Sequence, residues 1–281
     1  MSGRDPLVSA DWLKAHITAS DICVLDATWV PPFLKDRPDS KSCYQSGHIA
    51  GASYFDIDDI ADTGSGLKHM LPSADVFAEK VGALGVSNAT RVVVYDSNSF
   101  FASARAWWMF RAMGHEEVFV LDGGLAAWKA AGGVIETKTP EPTPQTFAAT
   151  YLPDLVRDQT AMREHVAQGD VKILDARAQG RFDGTSPEPR VDLPSGHMPG
   201  SYCVPATALL SDTGTMLSKS DLAPILDPFL ATRVVTSCGS GVSAAVISLA
   251  LARSGNWDAA LYDGSWSEWA ANSDNPIATA S

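Results

Sequence analysis

The chain has 281 residues, 45% of them hydrophobic and 19% charged, which is a globular composition long enough for one large domain or two that each bury a core. Its formal net charge of -12 argues against nucleic acid or an anionic membrane as partner, because either needs a basic face, and any anionic substrate must be met by local positive groups. No stretch reaches the length of a membrane span, and the segment MSGRDPLVSADWLKAH has no signal-peptide core, so a cytoplasmic location is expected.

In chain order, the first strong signal is the apolar run ICVLDA ending at Ala27, followed by Thr28 and Trp29. Next come SGHIAGAS (46–53), the acidic segment FDIDDIADTGSGLKHMLP, and a helical pattern in ADVFAEKVGALG (74–85). The run RVVVYD (91–96) suits a strand buried on both faces, and SARAWWMFRAMG (103–114) reads as another helix. VLDGGLAAW (120–128) closes this half of the chain.

The second half repeats the first. LDARA (174–178) and SGHMPGSY (195–202) both lie 149 residues after their counterparts, and LYDGSWSEW (261–269) follows VLDGGLAAW at a spacing of 141. RVVTSC (233–238) answers RVVVYD, so Asp96 stands where the second copy has Cys238. Between the copies, TPEPTP carries three prolines that can continue neither a helix nor a central strand. The expected division is 1–138, an exposed linker over 139–150, and 151–281. Strand-helix alternation in each copy predicts an α/β fold: a parallel sheet covered by helices on both faces.

Four cysteines, none in CxxC spacing, make neither a disulfide framework nor a zinc site, and no metal or organic cofactor is expected. Cys238 stands apart. In RVVTSCGSGVSAAVISLALARSG it ends a buried strand and precedes a small-residue loop and a helix (243–255). Gly239 and Gly241 are expected to turn the backbone so that its amides and the helix N-terminus cradle an anionic sulfur. Cys23 and Cys203 fall in strand runs and read as inert, while Cys43 reads as part of a polar loop. Duplication of His48 and His197 into both copies points to a structural turn rather than chemistry. Trp107, Trp108, Trp128 and Trp269 read as core. Cysteine phosphatases carry an arginine six residues after the nucleophile, but here that residue is Ala244.

The loop CGSGVSA, the repeated GH-x-x-G segments and the DG-x-x-x-x-W endings resemble tandem rhodanese-like sulfurtransferases, specifically the 3-mercaptopyruvate sulfurtransferase branch. The resemblance covers nearly the whole chain and implies two rhodanese-like domains with chemistry only in the second. It implies that Cys238 carries sulfur as a persulfide, supported by Gly239, Gly241, Val242 and Ser243 of the loop. Ser243 departs from the usual threonine but keeps the hydroxyl. It further implies that Arg181 and Arg190, read here as loop residues, bind the carboxylate and ketone of 3-mercaptopyruvate. It also implies a relay of Asp58, His69 and Ser240. The acceptor would be a thiol, a reduced thioredoxin-like protein or cyanide. Thiosulfate-preferring relatives carry basic loops such as CRKGVT, against which this neutral loop stands. Thiosulfate:cyanide transfer and a non-enzymatic carrier or regulatory module remain the alternatives.

Overall fold

A computed structural model describes residues 5–32, 34, 36–98, 100–190 and 192–280; residues 1–4, at the start of the segment read for a signal peptide, lie outside the described residues. The first copy contains β1 (Leu7–Val8), α1 (Ala10–His16), β2 (Ile22–Asp26), α2 (Ser40–Ser46), β3 (His48–Ile49) and β4 (Ser53–Tyr54). It continues through α3 (Ala74–Ala83), β5 (Arg91–Tyr95), α4 (Ser103–Ala112), β6 (Val118–Leu121), α5 (Gly124–Ala130) and β7 (Ile135–Glu136). The second copy holds β8 (Val156–Arg157), α6 (Gln159–Gln168), β9 (Lys172–Asp175), α7 (Gln179–Asp183) and β10 (Tyr202–Cys203). After these come α8 (Lys219–Leu230), β11 (Val234–Ser237), α9 (Ala244–Arg253), β12 (Ala260–Tyr262) and α10 (Ser265–Trp269).

The duplication is topological as well as sequential. The first sheet runs β4-β2-β5-β6-β1 and the second β10-β9-β11-β12-β8, with every neighbouring pair parallel. In each, the chain leaves the second strand for the edge and returns on the other side, so the order reverses beside the central strand. Parallel sheets open their binding crevice at such a point, beyond the carboxyl ends of the strands. Asp96 follows β5 there and Cys238 follows β11.

The apolar runs explain the core. Val92 to Tyr95 of β5 and all of β11 are buried, as expected for strands covered on both faces. Helices α4 and α9 are buried almost all round, because each lies between its own sheet and the other helix. Their contact merges the two halves into one apolar cluster running from Leu25 and Phe110 to Leu249 and Leu261. Trp107, Trp108, Trp128 and Trp269 are all core.

The repeated aspartates of the DG segments brace the halves reciprocally. Asp122 accepts from the amide of Met216 at 2.9 Å, and Asp263 accepts from the amide of Leu71 at 2.6 Å. The repeated histidines are structural in both copies. His48 Nδ1 bonds the Tyr44 carbonyl and stacks on its ring, and His197 does the same with Phe182.

Two expectations need correction. Cys43 lies in α2, not in a loop: Asp39 caps the helix through the amide of Ser42, and Tyr44 anchors its buried side. Arg181 lies in α7, a turn too short to show periodicity. The connecting segment has no helix or strand over 137–152 and is largely exposed, yet it is fastened rather than loose. Phe147 packs on Phe77, Phe110 and His115, and backbone bonds tie Gln145 to Gly82 and Thr150 to Met113.

Candidate active site

Cys238 is 1% exposed at the carboxyl end of β11. Its amide donates to Ser265 Oγ at 3.1 Å, and its carbonyl accepts from the amide of Trp266 at 2.9 Å. It contributes to a cleft of about 420 Å³ whose walls include Gly239, Ser240, Val242, Ser243, Arg181 and Arg190 from the second copy and Trp29 and Phe101 from the first. The site is therefore assembled between the copies.

The first copy shows what the loop is built to hold. Asp96, in the position of Cys238, is buried and accepts from four amides: Asn98 and Phe100 on Oδ1, Ala102 and Ser103 on Oδ2. Helix α4 thus has an internal carboxylate at its N-terminus, where four amides lack intrahelical partners. In the second copy, the amides from Gly239 to Ser243 meet no acceptor among the described residues. Helix α9 also lacks a side-chain cap. One cradle is filled by its own anion, and the other is open at the cysteine.

The two glycines serve differently. Gly241 has a φ of 76°, and an added Cβ would lie 2.7 Å from the Asp263 carbonyl. Gly239 is not in the left-handed region; it leaves room, since a Cβ there would lie 3.2 Å from Arg181 Nη2 and 3.8 Å from Arg190 Nη1. Both arginines accordingly converge on the loop. Gly241→Ala is expected to cost about 1–3 kcal/mol, for backbone strain alone is of that order; urea denaturation beside wild type measures it, and an unchanged midpoint would contradict the requirement.

The other converging group comes from the long segment after β4. His69 Nδ1 lies 3.2 Å from Ser240 Oγ, and its Nε2 lies 3.1 Å from Asp58 Oδ1. Asp58 also accepts from Trp29 Nε1 at 2.8 Å, while the Trp29 ring meets His69 edge-on at 4.8 Å. The His69 contact, helped by Trp29, holds the Asp58 carboxyl below the ordinary range despite an opposing push from burial. His69 has the unusual φ of 66°, a conformation that needs its surroundings to enforce it.

Arg105 provides the enforcement and was hidden in the sequence inside an apolar helix. Fully buried, it donates through Nη2 to the His69 carbonyl and through Nη1 to the Gly241 carbonyl at 3.3 Å. Nη1 also lies 2.7 Å from Asp263 Oδ1, near enough to pair charges though not aligned as a hydrogen bond. The Trp108 ring lies under the guanidinium. Glu188, Arg177, Trp29 and Asp263 were likewise unassigned; all but Glu188 sit within the repeated segments, which was their available signal.

The remaining cysteines differ in setting. Burial pushes both Cys23 and Cys203 up to about 11, and raises Cys43 as well. These thiols are poor nucleophiles at neutral pH, since the thiolate is the reactive form.

The pattern of the Rhodanese-like domain family matches residues 9–131 and again 158–272. The chain belongs to the rhodanese-like sulfurtransferases. Human 3-mercaptopyruvate sulfurtransferase is 38% identical over 94% of this chain and 91% of its own length. The thiosulfate sulfurtransferase of Cricetulus griseus is 40% identical over the same shares. Among solved structures, SseA from Escherichia coli superposes with a TM-score of 0.85 at 36% identity, covering 94% of this sulfurtransferase and 99% of that chain. Overall identity does not separate the two donor specificities, so the donor must be argued from the site. No helix among the described residues of this rhodanese-like chain is long and apolar enough to cross a membrane.

Proposed function

We propose that the chain is a 3-mercaptopyruvate sulfurtransferase in which Cys238 carries the transferred sulfur, with 1–138 as a non-catalytic domain, 139–150 as linker and 151–281 as the catalytic domain. The observation that carries the reading is the convergence of an open amide cradle, two arginines and the Asp58–His69–Ser240 chain on Cys238. Curated relatives bear that activity in their names.

The Cys238 thiolate attacks the donor sulfur, so an S–S bond forms while the C–S bond breaks. The electron pair of that bond passes to carbon as the enolate of pyruvate, and the thiol proton of the donor ends on that carbon. Ser240, held by His69, is placed to pass the proton, and Asp58 fixes the imidazole. Arg181 and Arg190 hold the carboxylate and polarise the ketone. The loop amides stabilise the persulfide anion left on Cys238. An acceptor thiol, thioredoxin-like protein or cyanide then takes the outer sulfur and restores the thiolate, giving ping-pong kinetics. A cytoplasmic location belongs to the same proposal.

Thiosulfate is the second reading, favoured by relatives named for it. The loop speaks against it, because Gly239 and Ser240 add no cation for a dianion. Parallel assays of pyruvate and thiocyanate formation decide between them: mercaptopyruvate is expected to give the larger kcat/KM, and a preference for thiosulfate would overturn the reading. In the same assay His69→Asn is expected to lower mercaptopyruvate turnover by about a hundredfold, the scale of lost general acid-base assistance, and an unchanged kcat would remove the relay.

A further inference from the structure

Arg181 and Arg190 both approach the sulfur-bearing loop, but they do not carry the same free charge. The Arg181 fork is taken up by Glu188: Nε donates to Oε1 at 3.1 Å and Nη2 to Oε2 at 2.5 Å. The Glu188 carboxylate is 1% exposed and also accepts from Arg177 Nη1 at 2.8 Å. Arg177 is itself clamped on Asp175, with Nε shared between both carboxylate oxygens and Nη2 on Oδ2, and rests on the Trp266 ring. Asp175, Arg177, Glu188 and Arg181 therefore form a continuous series of two carboxylates and two guanidiniums with no net charge. Arg190 is exposed and has no ion pair among the described residues.

We propose that Glu188 is a specificity-determining residue that sets the charge of the donor pocket, neutralising Arg181 so that Arg190 alone supplies uncompensated positive charge and the pocket fits a monoanionic rather than a dianionic sulfur donor. This rests on the reading of the cleft as a mercaptopyruvate pocket. Mercaptopyruvate brings one carboxylate, which one free guanidinium balances. Thiosulfate brings two negative charges to a cysteine that must itself be anionic to react, and a neutralised Arg181 leaves one of them uncompensated. Glu188 acts at close range because it is buried, where charges are weakly screened. Glu188 touches no donor in this scheme; it acts through Arg181, whose Nη2 lies beside the space that the missing Gly239 side chain leaves free.

Steady-state kcat/KM for mercaptopyruvate and thiosulfate, measured on the full chain, tests the inference. Glu188→Gln keeps size and an acceptor oxygen but frees the charge of Arg181, and is expected to raise the thiosulfate-to-mercaptopyruvate ratio by about tenfold. Glu188→Asp keeps the charge and is expected to leave the ratio near wild type, which separates charge from shape. A folded Glu188→Gln with the wild-type ratio would overturn the proposal.

A second pair of variants avoids a buried guanidinium without its partner. Arg181→Gln removes a donor to the substrate and also leaves the series one negative charge in excess, so it is expected to lower kcat/KM for mercaptopyruvate by more than about tenfold. Adding Glu188→Gln restores neutrality and is expected to recover the charge-dependent part of that loss, while the lost contact keeps the double variant below wild type. If the double variant stays as low as Arg181→Gln, the charge of Glu188 does not act on the donor pocket and the proposal is overturned. A wild-type enzyme that does not use mercaptopyruvate would instead overturn the parent reading, visible before any variant is made.

Discussion

Cys238→Ser is expected to abolish sulfur transfer, lowering turnover by at least about a thousandfold, as loss of a nucleophile typically does. The substitution is nearly isosteric, and the residue's tertiary ties are made by its backbone, through Ser265 and Trp266, so the fold is expected to survive. No other thiol is placed to substitute. Burial holds Cys23 and Cys203 near a pKa of 11, and Cys43 lies in the polar helix α2 of the first copy. Intact-mass measurement after donor treatment is expected to show one added sulfur on wild type and none on the variant. A variant that takes up sulfur on another cysteine and turns over at the wild-type rate would sink the assignment.

The internal register of the chain made most of the fold legible. Constant spacing of LDA and GH segments implied two similar domains, and the sheets do run in the same strand order. The same register set Asp96 against Cys238, and the structure adds the reason for interest: the carboxylate fills in one copy the cradle that is open in the other. Arg181, Arg190, His69, Asp58 and Ser240 were readable only through a family resemblance, because they approach Cys238 from segments far apart in the chain. Periodicity reports which residues face inward but not what they face. Arg105 of SARAWWMFRAMG therefore carried no assignment, whereas α4 is covered by α9 of the other copy and Arg105 faces the seam. Glu188 was hidden for a related reason, since flanking prolines and a five-residue helix give no pattern from which its two guanidinium partners could be read.

Arg105→Met is expected to produce the largest loss of stability of any substitution considered, about 3–5 kcal/mol, the usual cost of leaving a buried charge without its partner. Asp263 would keep only the amide of Leu71, and the His69 and Gly241 carbonyls would lose their shared donor. Methionine fills much of the same volume beside Trp108, so the loss reports charge and hydrogen bonding rather than a cavity. Arg105→Met combined with Asp263→Asn is expected to be less destabilised than Arg105→Met, because the second change removes the stranded carboxylate. Urea denaturation of the three proteins measures this, and an Arg105→Met midpoint at the wild-type value would refute the pairing. The double variant then isolates the effect on the site. With the charge penalty relieved, the His69 carbonyl still lacks the Arg105 donor that braced its positive φ, so the approach of His69 to Ser240 is loosened. Sulfur transfer in the folded double variant is therefore expected to fall toward the level of His69→Asn, and full activity would show that Arg105 braces the seam between the copies without positioning the histidine.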